Sequence, residues 1–270
     1  MTKRHRDGPV FGWETCAVLV FVVFIALIAY AGTAEAGPSP NVIIERAIDN
    51  QAFNLPGAEM KMEMLLRNRR GTVRERKMFS RTLQKGGLNK TLTRFIAPQD
   101  VSGTSFLFLE RKGRDDDHYM YMPSLKMVKR IVGTQKNARF MGSDFSYADM
   151  ESRDLEAASY KGQADEKVGN TDCYVIDAIP ENKSAYSRIR TWVRKKDFVF
   201  VRTQFFDPRG KLLKVSFVKQ IKKVGDRSIP TRIKVTNKKT KHSTLLVISA
   251  VKLRKDLSEG EFTVRALKKR

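Results

Sequence analysis

Apolar and polar residues alternate along most of this chain with a period of two. Met60, Met62 and Met64 alternate with Lys61 and Glu63, which is typical of a strand with one buried face. Ten further runs read as strands: 74–84, 88–96, 104–111, 117–122, 172–179, 187–195, 198–206, 211–222, 229–236 and 243–253. Short strands separated by turn signals predict an antiparallel sheet or barrel rather than a βαβ fold. We therefore expect a mainly β protein with a few helices.

Two segments depart from this alternation. Residues 42–48 place apolar side chains at helical spacing after a possible cap at Asn41, which predicts a short amphipathic helix. Residues 133–156 show no strand pattern, and Ser143 or Asp144 is a candidate cap for a helical turn. We expect this second segment to form a helix or lid inserted into the sheet.

The N-terminal segment has the three parts of a secretory signal peptide. Positive residues at 3–6 precede an uncharged apolar run at 17–31, and Ala-Glu-Ala at 34–36 forms a small-residue cleavage pattern. The apolar run is shorter than the about 20 residues that a membrane-spanning helix needs. The sequence therefore predicts a signal peptide at 1–36, one folded domain at 37–270, and export to the periplasm. The alternative is an uncleaved segment that anchors the chain in the inner membrane.

The net charge of +23 belongs to the folded domain, because residues 1–36 contain three charges of each sign. Such a basic protein is attracted to polyanions. Nucleic acid is disfavoured as a partner by the export signal, although the aromatic and basic residues at 190–194 would suit single strands. The basic runs at 222–223, 238–241 and 268–270 either face an anionic membrane surface or only solvate the protein. The sequence leaves both interpretations open.

No catalytic or metal-binding set stands out in the sequence. The domain contains two histidines, and His118 follows an aspartate run at 115–117 that is typical of a solvated loop. Cys173 lies in an apolar run and reads as a small buried residue rather than a nucleophile. We therefore predict no enzyme activity, no metal site and no cofactor.

Flexible apolar side chains at strand positions instead suit a ligand of variable shape, such as an acyl chain. The predicted lipid-binding cavity consists of Met62, Met64, Leu66, Phe106, Phe108, Met120, Met122, Trp192 and Phe205. The predicted lid residues are Phe145, Tyr147 and Met150. The alternative is that these side chains fill a closed core.

Three segments resemble those of LolA-like outer-membrane lipoprotein-sorting proteins. Residues 95–107 read FIAPQDVSGTSFL, residues 119–131 read YMYMPSLKMVKRI, and residues 140–150 read FMGSDFSYADM. The third segment is the most specific, because it is long and nearly unbroken. The likeness extends over about residues 42–267 and is strongest to the subgroup encoded beside RND-type lipid exporters.

This resemblance implies an unclosed antiparallel β-barrel of about eleven strands with a helical lid over an apolar cavity. It also implies a carrier, without cofactor, that moves lipids or acylated lipoproteins between the inner and outer membranes. An RND-type inner-membrane transporter is then a possible partner. Two other functions remain open at this point: a non-enzymatic accessory subunit of an RND-type exporter complex, and a hydrolase acting on an envelope polymer.

Overall fold

The protein is represented by a computed structural model, which describes residues 37–150, 155, 157–181 and 184–269. The predicted signal segment and positions 151–154 and 156 of the predicted lid lie outside the described residues. The folded unit extends over Ser39–Arg270. Within the described ranges, no helix has both the length and the apolar character required to cross a bilayer.

One antiparallel sheet of thirteen strands makes up the described part of this unit. The strands are β1 Gly57–Arg67, β2 Val73–Lys85, β3 Leu88–Ala97, β4 Ser105–Leu109, β5 Asp117–Met122, β6 Met127–Ile131, β7 Ala158–Val168, β8 Thr171–Pro180, β9 Arg188–Arg194, β10 Phe200–Phe206, β11 Leu212–Val224, β12 Arg227–Asn237 and β13 Ser243–Leu253. Two helices are α1 Pro40–Asp49 and α2 Val264–Leu267, and short 3₁₀ turns include Ala52–Asn54, Phe140–Gly142 and Ala148–Met150.

The strand order explains where the inserted segment lies. Sequential strands are neighbours in the sheet, except that the first strand, β1, pairs with the last, β13, in the middle. The two edges are therefore β6 and β7, which follow one another along the chain. Residues 132–157 lie between these two edge strands in the sequence, and Phe140, Phe145 and Met150 of the described part pack against the sheet. We call residues 133–150 the lid segment.

The apolar and polar residues that alternate in the sequence lie on opposite faces of the sheet. On β1 the side chains of Met60, Met62, Met64 and Leu66 are buried, whereas Lys61 is exposed. The buried set lies on the face of the sheet that packs with the lid segment; we call this the concave face and the opposite one the convex face. Each such apolar side chain contributes about 1.5–3 kcal/mol when it leaves water.

Two short elements cover further apolar surface. Helix α1 places Ile43, Ile44 and Ile48 against Ile176 and Val193 of β8 and β9. The C-terminal segment covers the convex side of β3–β5 through Leu257, Phe262 and Leu267. Strand β4 is consequently buried on both faces along its whole length.

The predicted fold class is confirmed, with thirteen strands instead of about eleven. The eleven runs read from the alternation correspond to strands of the sheet, and the hairpin at the Asp207 turn is present. The two additional strands, β6 and β7, are the edges. Most of their side chains are at least partly exposed, so they lack the alternation that marks a half-buried strand.

The lid segment differs from the predicted helix. Its regular structure consists of 3₁₀ turns, because Met141 and Gly142 have positive φ angles of 48° and 77° and interrupt any helix there. A hydrogen bond of 2.7 Å from the backbone N–H of Phe140 to the carbonyl of Phe145 closes the loop instead. The segment is thus a compact loop held by its own backbone.

Candidate functional site

The concave face of β1–β4 and β13 forms an apolar site under the lid segment. A small space remains there, which we call the inner cavity; it is lined by Met62, Met64, Met78, Phe108 and Leu246 from the strands. Phe140, Phe145 and Met150 of the lid segment close it. Its free volume is about 30 Å³. The cavity in this conformation is too small for an acyl chain.

Side chains of the lid segment fill the space that the strands leave. The ring of Phe140 lies 4.8 Å from that of Phe106 and 5.8 Å from that of Phe95, measured between centroids. Tyr147 packs edge-on against Phe140 at 5.6 Å. Burial raises the pKa of the Tyr147 phenol. These contacts make the lid segment part of the core while it is closed.

A second apolar space, the outer groove, lies on the concave face of β9–β12. It is lined by Tyr186, Ile189, Phe205, Val218 and Ile233, and its free volume is about 170 Å³. Several of these side chains are only half-buried, so the groove is open to solvent. Phe145 lines both the inner cavity and the outer groove. Phe145 therefore lies at the boundary between the two spaces.

A buried ion pair fastens the lid segment to the sheet. The ammonium group of Lys214 on β11 binds the carboxylate of Asp149, and both side chains are less than a tenth exposed. Tyr186 donates a hydrogen bond of 2.7 Å to the same carboxylate. The ammonium also lies 4.7 Å from the ring centroid of Phe205. Because both charges are shielded from water, removing either partner would leave an uncompensated buried charge, which strongly destabilises the folded protein.

Asp144 forms a second attachment, close to the turn between β12 and β13. Its carboxylate accepts a hydrogen bond of 2.8 Å from Thr244 and lies 2.6 Å from Nδ1 of His242. Its backbone N–H donates to the hydroxyl of Thr244 at 2.9 Å. Arg139 adds a longer contact of 3.4 Å. The lid segment is thus held by polar contacts at two places, around Asp144 and around Asp149.

The structure brings most predicted site residues together. Met62, Met64 and Phe108 line the inner cavity, and Leu66, Phe106 and Met120 pack in the same cluster. The three predicted lid residues, Phe145, Tyr147 and Met150, pack against this cluster as well. Phe205 lies in the outer groove.

Two predicted residues lie elsewhere. Trp192 packs with Cys173, Val175 and Val201 in a separate cluster, and its Nε1 donates to Glu166 at 2.8 Å. It points to the convex side because it follows Thr191 by one position on a strand, and successive side chains face opposite ways. Met122 is half-buried and lies outside both lining sets.

Sequence reasoning missed Phe140 and the polar attachments. Phe140 is the first residue of the 140–150 segment that carries the family resemblance, so its signal was present. Lys214 gave no signal, because a lysine on a strand normally reads as exposed. Its partner Asp149 is 65 residues away in the sequence.

The remaining candidate groups for chemistry are engaged in structural contacts. The carboxylate of Asp117 accepts hydrogen bonds from Arg114, Arg111 and Arg130, which hold its pKa well below the usual range. Burial raises the pKa of the Cys173 thiol, which disfavours the reactive thiolate. In the part of the chain described by the structure, no three His, Cys, Asp or Glu side chains could together hold a metal ion.

Several known proteins are similar to this chain in sequence and fold. A protein-family model described only as an uncharacterized protein matches residues 87–269, and a search of curated proteins returns no match. A domain from Vibrio parahaemolyticus named for outer membrane lipoprotein sorting is 32% identical with a TM-score of 0.79, covering 85% of this chain and 98% of that chain. A DUF1329 family protein from Desulfovibrio piger is 26% identical with a TM-score of 0.79, covering 84% and 97%.

A LolA superfamily protein from Nitrosomonas europaea has the same fold. It is 19% identical with a TM-score of 0.70, and the match covers 85% of this chain and 99% of that chain. In this chain the shared fold is an unclosed antiparallel sheet. The identity and coverage of the Vibrio domain show that the chain belongs to the family of outer-membrane lipoprotein-sorting proteins, and its fold is that of the LolA superfamily.

Proposed function

We propose that this protein binds an acyl chain of a lipid or lipoprotein on its concave face and carries it between the two membranes of the envelope. The observation that carries the proposal is the position of Phe145 between a filled inner cavity and an open outer groove. An acyl chain entering the groove would extend under the lid segment once that side chain moves. The proposal involves no covalent chemistry and no cofactor.

The free energy gained by burying an acyl chain and the free energy lost by displacing the lid segment are of similar size, which favours reversible exchange. A dozen methylene groups leaving water contribute about 10 kcal/mol before the costs of binding. Four apolar side chains of the lid segment (Phe140, Phe145, Tyr147 and Met150) give up about 6–12 kcal/mol of burial if they are displaced completely. A ligand can therefore replace the lid segment without either state being strongly preferred.

The compartment and the donor are part of this proposal. The segment at 1–36 supports export to the periplasm, with an inner-membrane anchor as the alternative. The resemblance to the RND-associated subgroup supports an RND-type transporter as the partner that delivers the cargo. Affinity purification from the native envelope that recovers the transporter only with lipid-loaded protein would support delivery. Recovery without any bound lipid would favour an accessory subunit.

The acyl site is tested by placing a charge in the outer groove. Ile233→Asp puts a carboxylate on the concave face, whereas Leu245→Asp puts one on the convex face of the neighbouring strand. Both positions are half-buried, so the two variants form a matched pair. Titration with a fluorescent fatty acid should show binding at least about tenfold weaker for the first variant only, since about 1.5 kcal/mol of apolar contact is lost.

Native mass spectrometry of the purified wild-type protein provides the second measurement. We expect adducts with the mass of envelope phospholipids, and uptake of added phospholipid by the stripped protein. Equal fatty-acid affinity of the two aspartate variants, or spectra that stay ligand-free after phospholipid is added, would overturn the proposal.

A further inference from the structure

The ends of the sheet form two rims of very different charge. Because the strands are antiparallel, the turns β1–β2, β3–β4, β5–β6, β10–β11 and β12–β13 lie side by side at one rim. Hairpins that are neighbours in the strand order place their turns about 10 Å apart, two strand spacings. We call this row the basic rim, formed by residues 68–72, 98–104, 123–126, 207–211 and 238–242.

Charge is concentrated at this rim. Its five turns contain eight lysines and arginines against two aspartates, Asp100 and Asp207. The turns at the opposite rim (86–87, 110–116, 169–170, 195–199 and 225–226) contain five residues of each sign. The connection 181–187 also reaches the basic rim, lies partly outside the described residues, and adds one charge of each sign.

The cations of the basic rim are available to a partner. Arg69, Arg70, Lys238, Lys239 and Lys241 are all exposed. Within the described ranges, none of them pairs with a carboxylate of the protein. The rim aspartates are already engaged: Asp100 binds Arg76, and Asp207 accepts the backbone N–H groups of its own turn.

Exposed apolar side chains gather at the same rim. Val73, Ile96, Leu125, Met127 and Ile179 all lie at strand ends or turns of the basic rim, and they are 45–64% exposed. They account for five of the eight large hydrophobic residues that the structure shows as exposed. Leu125 and Met127 flank Lys126 at the tip of the β5–β6 hairpin. Apolar side chains that flank cations suit the boundary between lipid headgroups and acyl chains.

We propose that the basic rim docks edge-on to an anionic lipid bilayer. The cations contact the headgroups, and the exposed apolar side chains enter the boundary beneath them. The inference rests on the proposed function, because docking there brings the lid segment to the membrane. The attachment of Asp144 to His242 and Thr244 lies at the β12–β13 turn of this rim. An acyl chain could then pass between bilayer and concave face without crossing water.

The contribution of the rim cations to membrane binding is tested with vesicles of phosphatidylglycerol and phosphatidylcholine, and with vesicles of phosphatidylcholine alone. The variant Arg69→Gln/Arg70→Gln removes two cations from the basic rim, and Lys222→Gln/Lys223→Gln removes two exposed cations near the opposite rim. All proteins keep the same N-terminus, so any contribution from residues 1–36 cancels. We expect about 30-fold weaker binding to the anionic vesicles for the first variant and little change for the second.

The apolar term is tested with Leu125→Asp and its control Leu253→Asp, which lies at the opposite rim and is 49% exposed. Only the first variant should lose binding to the anionic vesicles. Equal effects of the paired variants, or equal binding to neutral and anionic vesicles, would overturn the docking site. Binding to an acidic peptide but to neither vesicle would also overturn it, and would indicate a protein partner.

A vesicle-free titration with a fluorescent fatty acid separates this inference from the proposed function. The variants at the basic rim should keep wild-type affinity for the free fatty acid. Loss of vesicle specificity with intact fatty-acid binding contradicts only the docking site. Absent fatty-acid binding with intact vesicle specificity contradicts only the carrier.

Discussion

On β1–β4 the concave face is packed under the lid segment, whereas on β9–β12 the same face is half-open to solvent. The strands of both halves carry apolar side chains, so the strands alone do not explain the difference. What differs is the cover: Phe140 and Tyr147 occupy the first half, and the second half holds Lys214, which anchors the cover. Under the proposed function, the packed half would hold the surface that binds the acyl chain, and the half that carries Lys214 would control access to it.

The largest expected difference between a variant and its control comes from breaking the Lys214–Asp149 ion pair, which we call the anchor. Lys214→Met leaves the carboxylate of Asp149 buried without its cation, which should lower the free energy of unfolding by about 3 kcal/mol. The double variant Lys214→Met/Asp149→Leu removes both charges and should recover part of this loss. Urea denaturation measures both values. Lys219→Met, at an exposed lysine of the same strand, is the control.

Either of two results would contradict the claim that the Lys214–Asp149 ion pair holds the lid segment. If Lys214→Met costs no more than Lys219→Met, or if the double variant is less stable than Lys214→Met alone, the ion pair does not hold the lid segment. Increased fatty-acid uptake by Lys214→Met, relative to Lys219→Met, would add direct support for control of access.

A smaller difference should separate two phenylalanine truncations. Phe140→Ala opens a hole in the packed half and should cost about 3–5 kcal/mol of unfolding free energy. Phe205→Ala affects the half-open groove, where part of the ring already contacts water, and should cost about 2 kcal/mol less. Both values come from urea denaturation. Equal losses would show that the two halves are packed alike, contrary to the comparison.

The sequence predicted the strands of both halves and an inserted lid, but not the two edge strands or the 3₁₀ turns of the lid segment. Alternation is visible in β1 because one face is buried and the other is solvated. The edge strands β6 and β7 pair on one side only and are mostly exposed, so their sequences carry no such signal. The capping residues of the lid segment favour a helix. The positive φ angle of Met141, which interrupts a helix there, is imposed by packing against the sheet and not by local sequence preference.

The candidate site was predictable to the extent that it depends on residue type. Methionine and phenylalanine at alternating positions indicated Met62, Met64 and Phe108, which the structure places in the lining of the inner cavity. Trp192 is a large apolar residue as expected for the cavity, but it occupies a position of β9 whose side chain points to the other face of the sheet, so it lies on the convex side. The pairing of Lys214 with Asp149 depends on the path of the chain between β6 and β7, which no local pattern encodes.

The central claim is that the lid segment must move away from the concave face before an acyl chain can extend from the outer groove into the inner cavity and be held stably. The side chains of Asp144 and Thr244 touch, so Asp144→Cys/Thr244→Cys places two thiols where a disulfide can join the lid segment to β13. Fatty-acid titration of the oxidised and reduced protein, with the single variant Asp144→Cys as control, measures the effect. We predict that the oxidised double variant takes up little fatty acid and that reduction restores uptake. Equal uptake before and after reduction of a confirmed cross-link would contradict the claim.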